Sequence, residues 1–175
     1  ARMLYSAYDV KLYTPYPLKS SLAKIQFARA ISVGVESINY ACSCDVVVDC
    51  LFGSGLTRKL DKKAQNIITS LNNMSAYKIA CDIPSGINSE GQITSVGFYA
   101  NQTITMGALK TALFLDSAKE YVGKIKVASL GLPRELYETK FNQCLDSKIV
   151  WSHEYECSSD TIYRNFHQIV YPLGN

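Results

Sequence analysis

Two short apolar runs, each carrying a carboxylate near its end and then breaking at glycine or proline, constrain this chain more than any other feature. The first is Asp45 to Phe52, with Asp49 near its end and Gly53-Ser54-Gly55 beyond it. The second is Lys78 to Ile83, with Asp82 near its end and Pro84-Ser85-Gly86 beyond it. Apolar runs of this length, rich in β-branched residues, read as buried strands of a parallel sheet. Ligands of such sheets sit beyond the carboxyl ends of the strands. The pattern therefore predicts that Asp49, Asp82 and the loops after them share one rim.

Around these runs, strands and helices alternate. Asp9 to Tyr13 reads as a first strand, stopped by Pro15 and Pro17. Ser20 caps a helix running to about Ser32, with Leu22, Ile25, Phe27, Ala28 and Ile31 as its apolar face, and Gly34 ends it. Val35 to Tyr40 reads as a short strand. Leu60 to Leu71 is the next helix, capped near Asp61, with Ala64, Ile67, Ile68 and Leu71 inward. Gln102 to Met106 is a third core strand. Ala108 to Leu115 is a loop or short helix carrying Lys110, and Tyr121 to Leu130 is a last strand. This order implies βαβ units with parallel strands and right-handed crossovers. The predicted fold class is α/β, a three-layer αβα sandwich, Rossmann-like, with a mostly parallel sheet.

Composition excludes several functions. The 175 residues suffice for one domain with a real core. A net charge of +3 is too mild to argue for nucleic acid. No apolar run approaches the ~18 residues of a membrane-spanning helix, and no charged-then-apolar leader opens the chain. The six cysteines form no C-x-x-C pair, which argues against zinc. They read as thiols of a reducing, cytoplasmic protein, with Cys50 and Cys81 acting as small hydrophobes in or beside core strands. His153 and His167 stand alone, without a ligand partner at metal spacing, and read as structural or surface residues.

The loops carry the chemistry. Glycine lacks a Cβ and tolerates positive φ, so Gly53-Ser54-Gly55 lets the backbone approach a ligand closely. Unpaired N–H groups there can cradle a phosphate, with Arg58 and Lys59 adding positive charge. The loop has neither the third glycine of the dinucleotide fingerprint nor the Gly-Lys-Ser/Thr of a P-loop. A plain turn explains a lone G-x-G equally well. Ile83-Pro84-Ser85-Gly86 turns the chain and presents a hydroxyl beside Asp82. Asp82 serves either as a reacting group or as the cap of that turn. Lys110 is either an anchor for phosphate and a partner that lowers the pKa of Asp82, or a solvated surface lysine.

Four segments together resemble one family. VVDCLFGSGLTR (residues 47–58), ACDIPSGIN (80–88), TITMGALK (103–110) and YVGKIKVASLGLP (121–133) stand in the order and spacing of the NAD(P)H-hydrate epimerases, or YjeF N-terminal domain. The resemblance covers residues 1–135, as that domain lacking its N-terminal part, and leaves 136–175 as a C-terminal extension. It implies interconversion of the R and S epimers of hydrated NADH or NADPH in nicotinamide nucleotide repair. Asp82 then matches a ligand-contacting aspartate and is the candidate catalytic group. Gly53, Ser54, Gly55, Leu56, Thr57, Arg58 and Lys59 match the cofactor-hydrate binding loop, assisted by Asp82 and Lys110. Asp49 and Ser85 match residues that coordinate one potassium ion per subunit; a carboxylate and a hydroxyl suit a hard cation, not zinc. The resemblance also implies a homodimer and a fused or separate ADP- or ATP-dependent dehydratase.

The sequence departs from the family in two places. A family loop of Asn-Gly-Gly-Asp-Gly, which supplies a further potassium ligand, is expected just before Ala1. The opening Ala1-Arg2-Met3-Leu4 reads as mid-helix, so a longer parent protein is expected. Lys59 stands where relatives commonly have proline. Two other readings compete with an epimerase: a non-catalytic scaffold of the same fold, and a generic nucleotide-binding Rossmann domain. Retention of Asp49, Asp82 and Ser85 argues against the first, and the missing phosphate fingerprint against the second.

Overall fold

The computed structural model describes residues 1–53, 55–56, 58–131 and the backbone of 157–158. The chain divides into two compact units, Ala1–Ser43 and Cys44–Asn175. In the first unit, helix α1 spans Arg2–Tyr5, strand β1 Lys11–Tyr13, helix α2 Ser21–Ser32 and strand β2 Glu36–Ile38. Strands β1 and β2 pair in parallel, with Lys11 opposite Glu36. An exposed ion pair of 3.3 Å joins those two side chains. Ser20 caps α2 as expected, its hydroxyl accepting from Ala23 N–H.

The apolar face read for α2 is not a buried one. Leu22 is 63 % exposed and Ile25 48 %, and the residue that α2 buries is Ala30. Helical spacing shows which residues share a side; it does not show what lies against that side.

The second unit holds the segments that carry the motifs. Strand β3 spans Val46–Asp49, helix α3 Lys62–Asn72, strand β4 Tyr77–Cys81 and strand β5 Gln102–Met106. A 3-10 turn at Thr111–Phe114 and helix α4 at Lys119–Val122 lead into strand β6, Lys124–Ala128, and the short strand β7 is Cys157–Ser158. Among the described residues these strands form a sheet of order β3-β4-β5-β6-β7. Pairing is parallel from β3 to β6, and β7 joins β6 antiparallel. Strands alternating with helices in a mostly parallel sheet make this an α/β, Rossmann-like fold, as the alternation in sequence predicts. No helix among the described residues is long and apolar enough to cross a membrane.

Local chemistry sets the element ends. Asp61 caps α3, its carboxylate accepting from Ala64 N–H at 2.7 Å. Ala64, Ile68 and Leu71 are the buried residues of α3, three of the four read as inward, and Ile67 is half-buried. The strand expected from Tyr121 starts later, because α4 occupies Tyr121 and Val122. Gly123 makes the corner between them at φ +57°, where a Cβ would lie 2.3 Å from the Asn101 carbonyl oxygen. Only glycine fits there.

The core of this unit lies against the turn that follows β4. Ile83 and Ile87 pack with Leu113, Phe114, Val122 and Ile125, all buried. Each such side chain contributes about 1.5–3 kcal/mol on full burial. On β5, alternation turns Thr103 and Thr105 inward. Their hydroxyls are satisfied: Thr103 donates to the Val122 carbonyl at 2.7 Å, and Thr105 reaches the Asp82 carboxylate at 3.3 Å. The turn bearing the candidate residues is therefore fixed from beneath and from the side.

Candidate active site

Asp49 ends β3, and Asp82 directly follows β4, its parallel neighbour. Both carboxylates thus stand at the carboxyl rim of the sheet, as the two sequence runs predict. The structure also brings Ser85 and Lys110 to this rim, one to each aspartate.

Asp49 is 2 % exposed. Its Oδ2 accepts from Ser85 N–H at 2.7 Å, and its Oδ1 accepts from the Ser85 hydroxyl at 2.7 Å and from Leu51 N–H at 3.1 Å. Burial pushes its pKa up, and the hydrogen bonds from Ser85 and Leu51 oppose that without overcoming it. The Ser85 oxygen in turn accepts from Phe52 N–H at 3.0 Å and lies 3.4 Å from the Phe52 carbonyl oxygen. One buried carboxylate therefore ties the end of β3 to the turn after β4. The donor set is all oxygen: carboxylate, hydroxyl and carbonyl. It fits a hard cation such as potassium and not a thiophilic metal. Among the described residues no three His, Cys, Asp or Glu side chains gather to hold a metal.

Asp82 is held differently. Its φ is +74°, and among the described residues it is the non-glycine residue with a positive φ. A left-handed residue at a strand tip is strained, and such strain clusters at functional sites. Its backbone N–H still donates to the Ile104 carbonyl, while the chain turns away. The carboxylate accepts from Met106 N–H at 3.1 Å and from the Lys110 ammonium at 2.7 Å. The Lys110 ammonium also donates to the Met106 carbonyl. The side chains of both Asp82 and Lys110 are roughly a quarter exposed, 25 % and 28 %. Partial burial pushes the Asp82 pKa up, but the Lys110 hydrogen bond, the Met106 N–H, the Lys110 charge and the Thr105 hydroxyl together hold it below its ordinary value. Asp82 is therefore an accessible, charged carboxylate with a cation beside it.

The loop after β3 makes few demands on its own glycines. Among the described residues, Gly53 and Gly55 are not among those with positive φ, and a Cβ on either would meet nothing within 4 Å. Positive φ falls on Asp82 and on Gly86, at +96°. A Cβ on Gly86 would lie 2.0 Å from the Val96 carbonyl oxygen. So Gly86 is required by the chain itself, whereas Gly53 and Gly55 leave open space for something to approach. Leu56 and Leu60 are buried and anchor the loop, while Arg58 and Lys59 are exposed. Ser54 and Thr57 lie outside the described residues, as do His153, His167 and nearly all of 136–175.

Sequence reasoning missed three contributors: Thr105, the Met106 N–H and the Leu51 N–H. Thr105 had a signal, the inward alternation of the third strand. The two N–H groups had none, because they depend on where the strand tips end. The cysteines also differ from expectation. Cys50 is exposed and Cys81 half-buried. The two neighbouring thiols shift each other, Cys50 upward and Cys81 down to about 7. A depression of about 470 Å³, lined by Asp45, Tyr77, Lys78 and Asn101 among others, lies at the amino ends of the strands, away from this rim.

Comparison with known proteins adds independent findings. Residues 1–112 match the family described as YjeF-related protein N-terminus. The chain is 38% identical over 145 residues to the bifunctional NAD(P)H-hydrate repair enzyme Nnr of Helicobacter pylori, covering 79% of this chain and 31% of that protein. It is 35% identical over 117 residues to the NAD(P)H-hydrate epimerase of Levilactobacillus brevis, covering 66% of this chain and 54% of that one. A bifunctional NAD(P)H-hydrate repair enzyme Nnr of Synechocystis is 29% identical over 130 residues, or 72% of this chain and 25% of that protein. The match thus spans about a third or less of these bifunctional relatives and about half of the epimerase.

Proposed function

The chain belongs to the YjeF-related N-terminal family, and from that premise we propose that it is an isomerase interconverting the R and S epimers of hydrated NADH and NADPH. The observation that carries this reading is the Asp82–Lys110 pair at the β4–β5 rim, a charged carboxylate on a strained tip with an ammonium 2.7 Å away. A scaffold needs no such pair.

In the hydrated ring, water has added at C6. The ring nitrogen expels the C6 hydroxyl, leaving a planar iminium-like cation, and water re-adds from either face. The leaving hydroxyl takes up a proton to depart as water, and the entering water gives one back. Asp82 stands as the negative charge beside the cation and as the base for the entering water. Lys110 donates to the same carboxylate oxygen, so the pair holds the proton that is lent and returned. One pair serving both directions satisfies microscopic reversibility. Gly53 to Lys59 form the binding loop, where open space over Gly53 and Gly55 admits a phosphate to the backbone and Arg58 and Lys59 supply charge.

Asp49, Ser85 and the Phe52 carbonyl would hold one potassium ion per subunit, which would supply positive charge beside the binding loop. If so, potassium raises the melting temperature relative to choline at equal ionic strength, and Ser85→Ala removes the difference. Equal melting in both salts rejects the site. The same reading makes residues 1–135 the functional domain, places it in the cytoplasm as a homodimer, and couples it to an ADP- or ATP-dependent dehydratase, fused or separate. The direct test is to supply purified R epimer to the protein and follow appearance of S by chromatography. Exchange well above the spontaneous rate supports the assignment, and exchange at the spontaneous rate removes it.

A further inference from the structure

We propose that Cys50 and Cys81 form a peroxide-oxidisable dithiol, a reversible modification site that closes to a disulfide between the tips of β3 and β4. The strand register carries the geometry. The ladder pairs Val48 with Ile79 and Asp49 with Ala80. One residue on, Cys50 falls opposite Cys81. Matched residues of adjacent parallel strands leave the sheet on the same face, about 4.7–4.9 Å apart. That spacing lies within the roughly 4.4–6.8 Å Cα range that a disulfide bridges.

A further observation supports it. Both thiols are accessible, Cys50 being exposed and Cys81 half-buried. An accessible thiol beside a resolving partner is the arrangement of oxidation-sensitive cysteines. The pair also sits between Asp49 and Asp82, so the bond would tie together the two tips that carry them. It does not depend on what the rim binds.

The oxidant is a hydroperoxide. The Cys81 sulfur attacks one peroxide oxygen, the O–O bond breaks, and the leaving hydroxide takes the thiol proton to become water. The Cys50 sulfur then attacks the resulting sulfenic acid, and its proton leaves with the hydroxyl as a second water. Two thiols lose two electrons in all, and one hydrogen peroxide is reduced to two waters. A thiol reductant reverses the bond by exchange.

The test treats the whole chain with hydrogen peroxide, blocks remaining thiols with N-ethylmaleimide, digests without reductant and maps the peptides by mass spectrometry. The expected product is a linked peptide pair joining Cys50 to Cys81, lighter by two hydrogens than the separate peptides. Both cysteines escape alkylation until dithiothreitol is added, while Cys42 and Cys44 remain alkylated. In Cys50→Ser, Cys81 stops at the sulfenic acid and is trapped by dimedone. Full alkylation of Cys50 and Cys81 after peroxide, or oxidation of either to sulfinic acid without a linked pair, overturns the proposal. The unsubstituted protein alone gives the decisive map, so a folding defect in the variant does not blur it. No activity is read, so the result is separate from that of the epimerase assay.

Discussion

Asp49 and Asp82 are the same side chain at the carboxyl ends of neighbouring parallel strands, yet they are held in opposite ways. Asp49 is buried, takes three hydrogen bonds from Ser85 and Leu51, and joins two turns. Asp82 is partly exposed, sits at φ +74° and faces an ammonium. Burial raises the pKa of the first, and cationic and N–H partners lower that of the second. The difference teaches that a carboxylate at a strand tip has no fixed job. The surroundings make one an internal fastener and the other a reactive group. The loops divide the same way: Gly86 is dictated by the chain, and Gly53 is open above.

The largest effect separating the two tips should come from Asp49→Ala. It leaves the Ser85 and Leu51 N–H groups and the Ser85 hydroxyl without their acceptor. At about 1–3 kcal/mol for each buried group left unpaired, a loss of roughly 3 kcal/mol or more is expected. Chemical denaturation measures it, and an unchanged midpoint would dissolve the contrast.

A smaller effect is a difference in titration. Carboxyl-carbon NMR should place the midpoint of Asp82 below the ordinary 3.8 and that of Asp49 above it. The linkage then has opposite signs. Asp82 contributes stability above 3.8 that is lost as pH falls through its lowered value. Asp49 contributes stability fully present below 3.8 that is lost as pH rises through its raised value. Lys110→Met should move the Asp82 midpoint up and leave Asp49 unmoved. A common midpoint for both aspartates would erase the distinction.

The smallest effect should be that of Gly53→Ala on stability. A Cβ there meets nothing, so the change should stay within about 0.5 kcal/mol, while affinity for the hydrated cofactor falls. Loss of stability, or unchanged affinity, would mean that the open space over this loop is not a ligand's.

Much of this was readable from the residues alone, for definite reasons. Gln102 to Met106 was bounded correctly because it alternates and ends at Gly107. The α3 cap was legible because Asp61 precedes a run with helical spacing. The shared rim followed from two apolar runs that both end in aspartate. What stayed hidden depends on contacts between distant segments. Lys110 meets Asp82 because β5 lies beside β4, and Cys50 falls opposite Cys81 because β3 does. The left-handed backbone of Asp82 was hidden too, because a run of apolar residues ending in aspartate does not show how the chain turns into Pro84–Gly86. The exposed apolar side of α2 shows the limit of periodicity as a guide to burial.

The division of labour at the rim is tested most directly by the R-to-S exchange rate of Asp82→Asn. Asparagine tolerates the left-handed conformation and keeps an acceptor for Met106 N–H, so the fold should survive, with a melting temperature lowered only by the loss of the ion pair to Lys110. Removing the acid–base group should slow exchange by at least about 100-fold. Exchange at the unsubstituted rate, in a variant that is folded and binds the cofactor hydrate, would contradict the role assigned to Asp82.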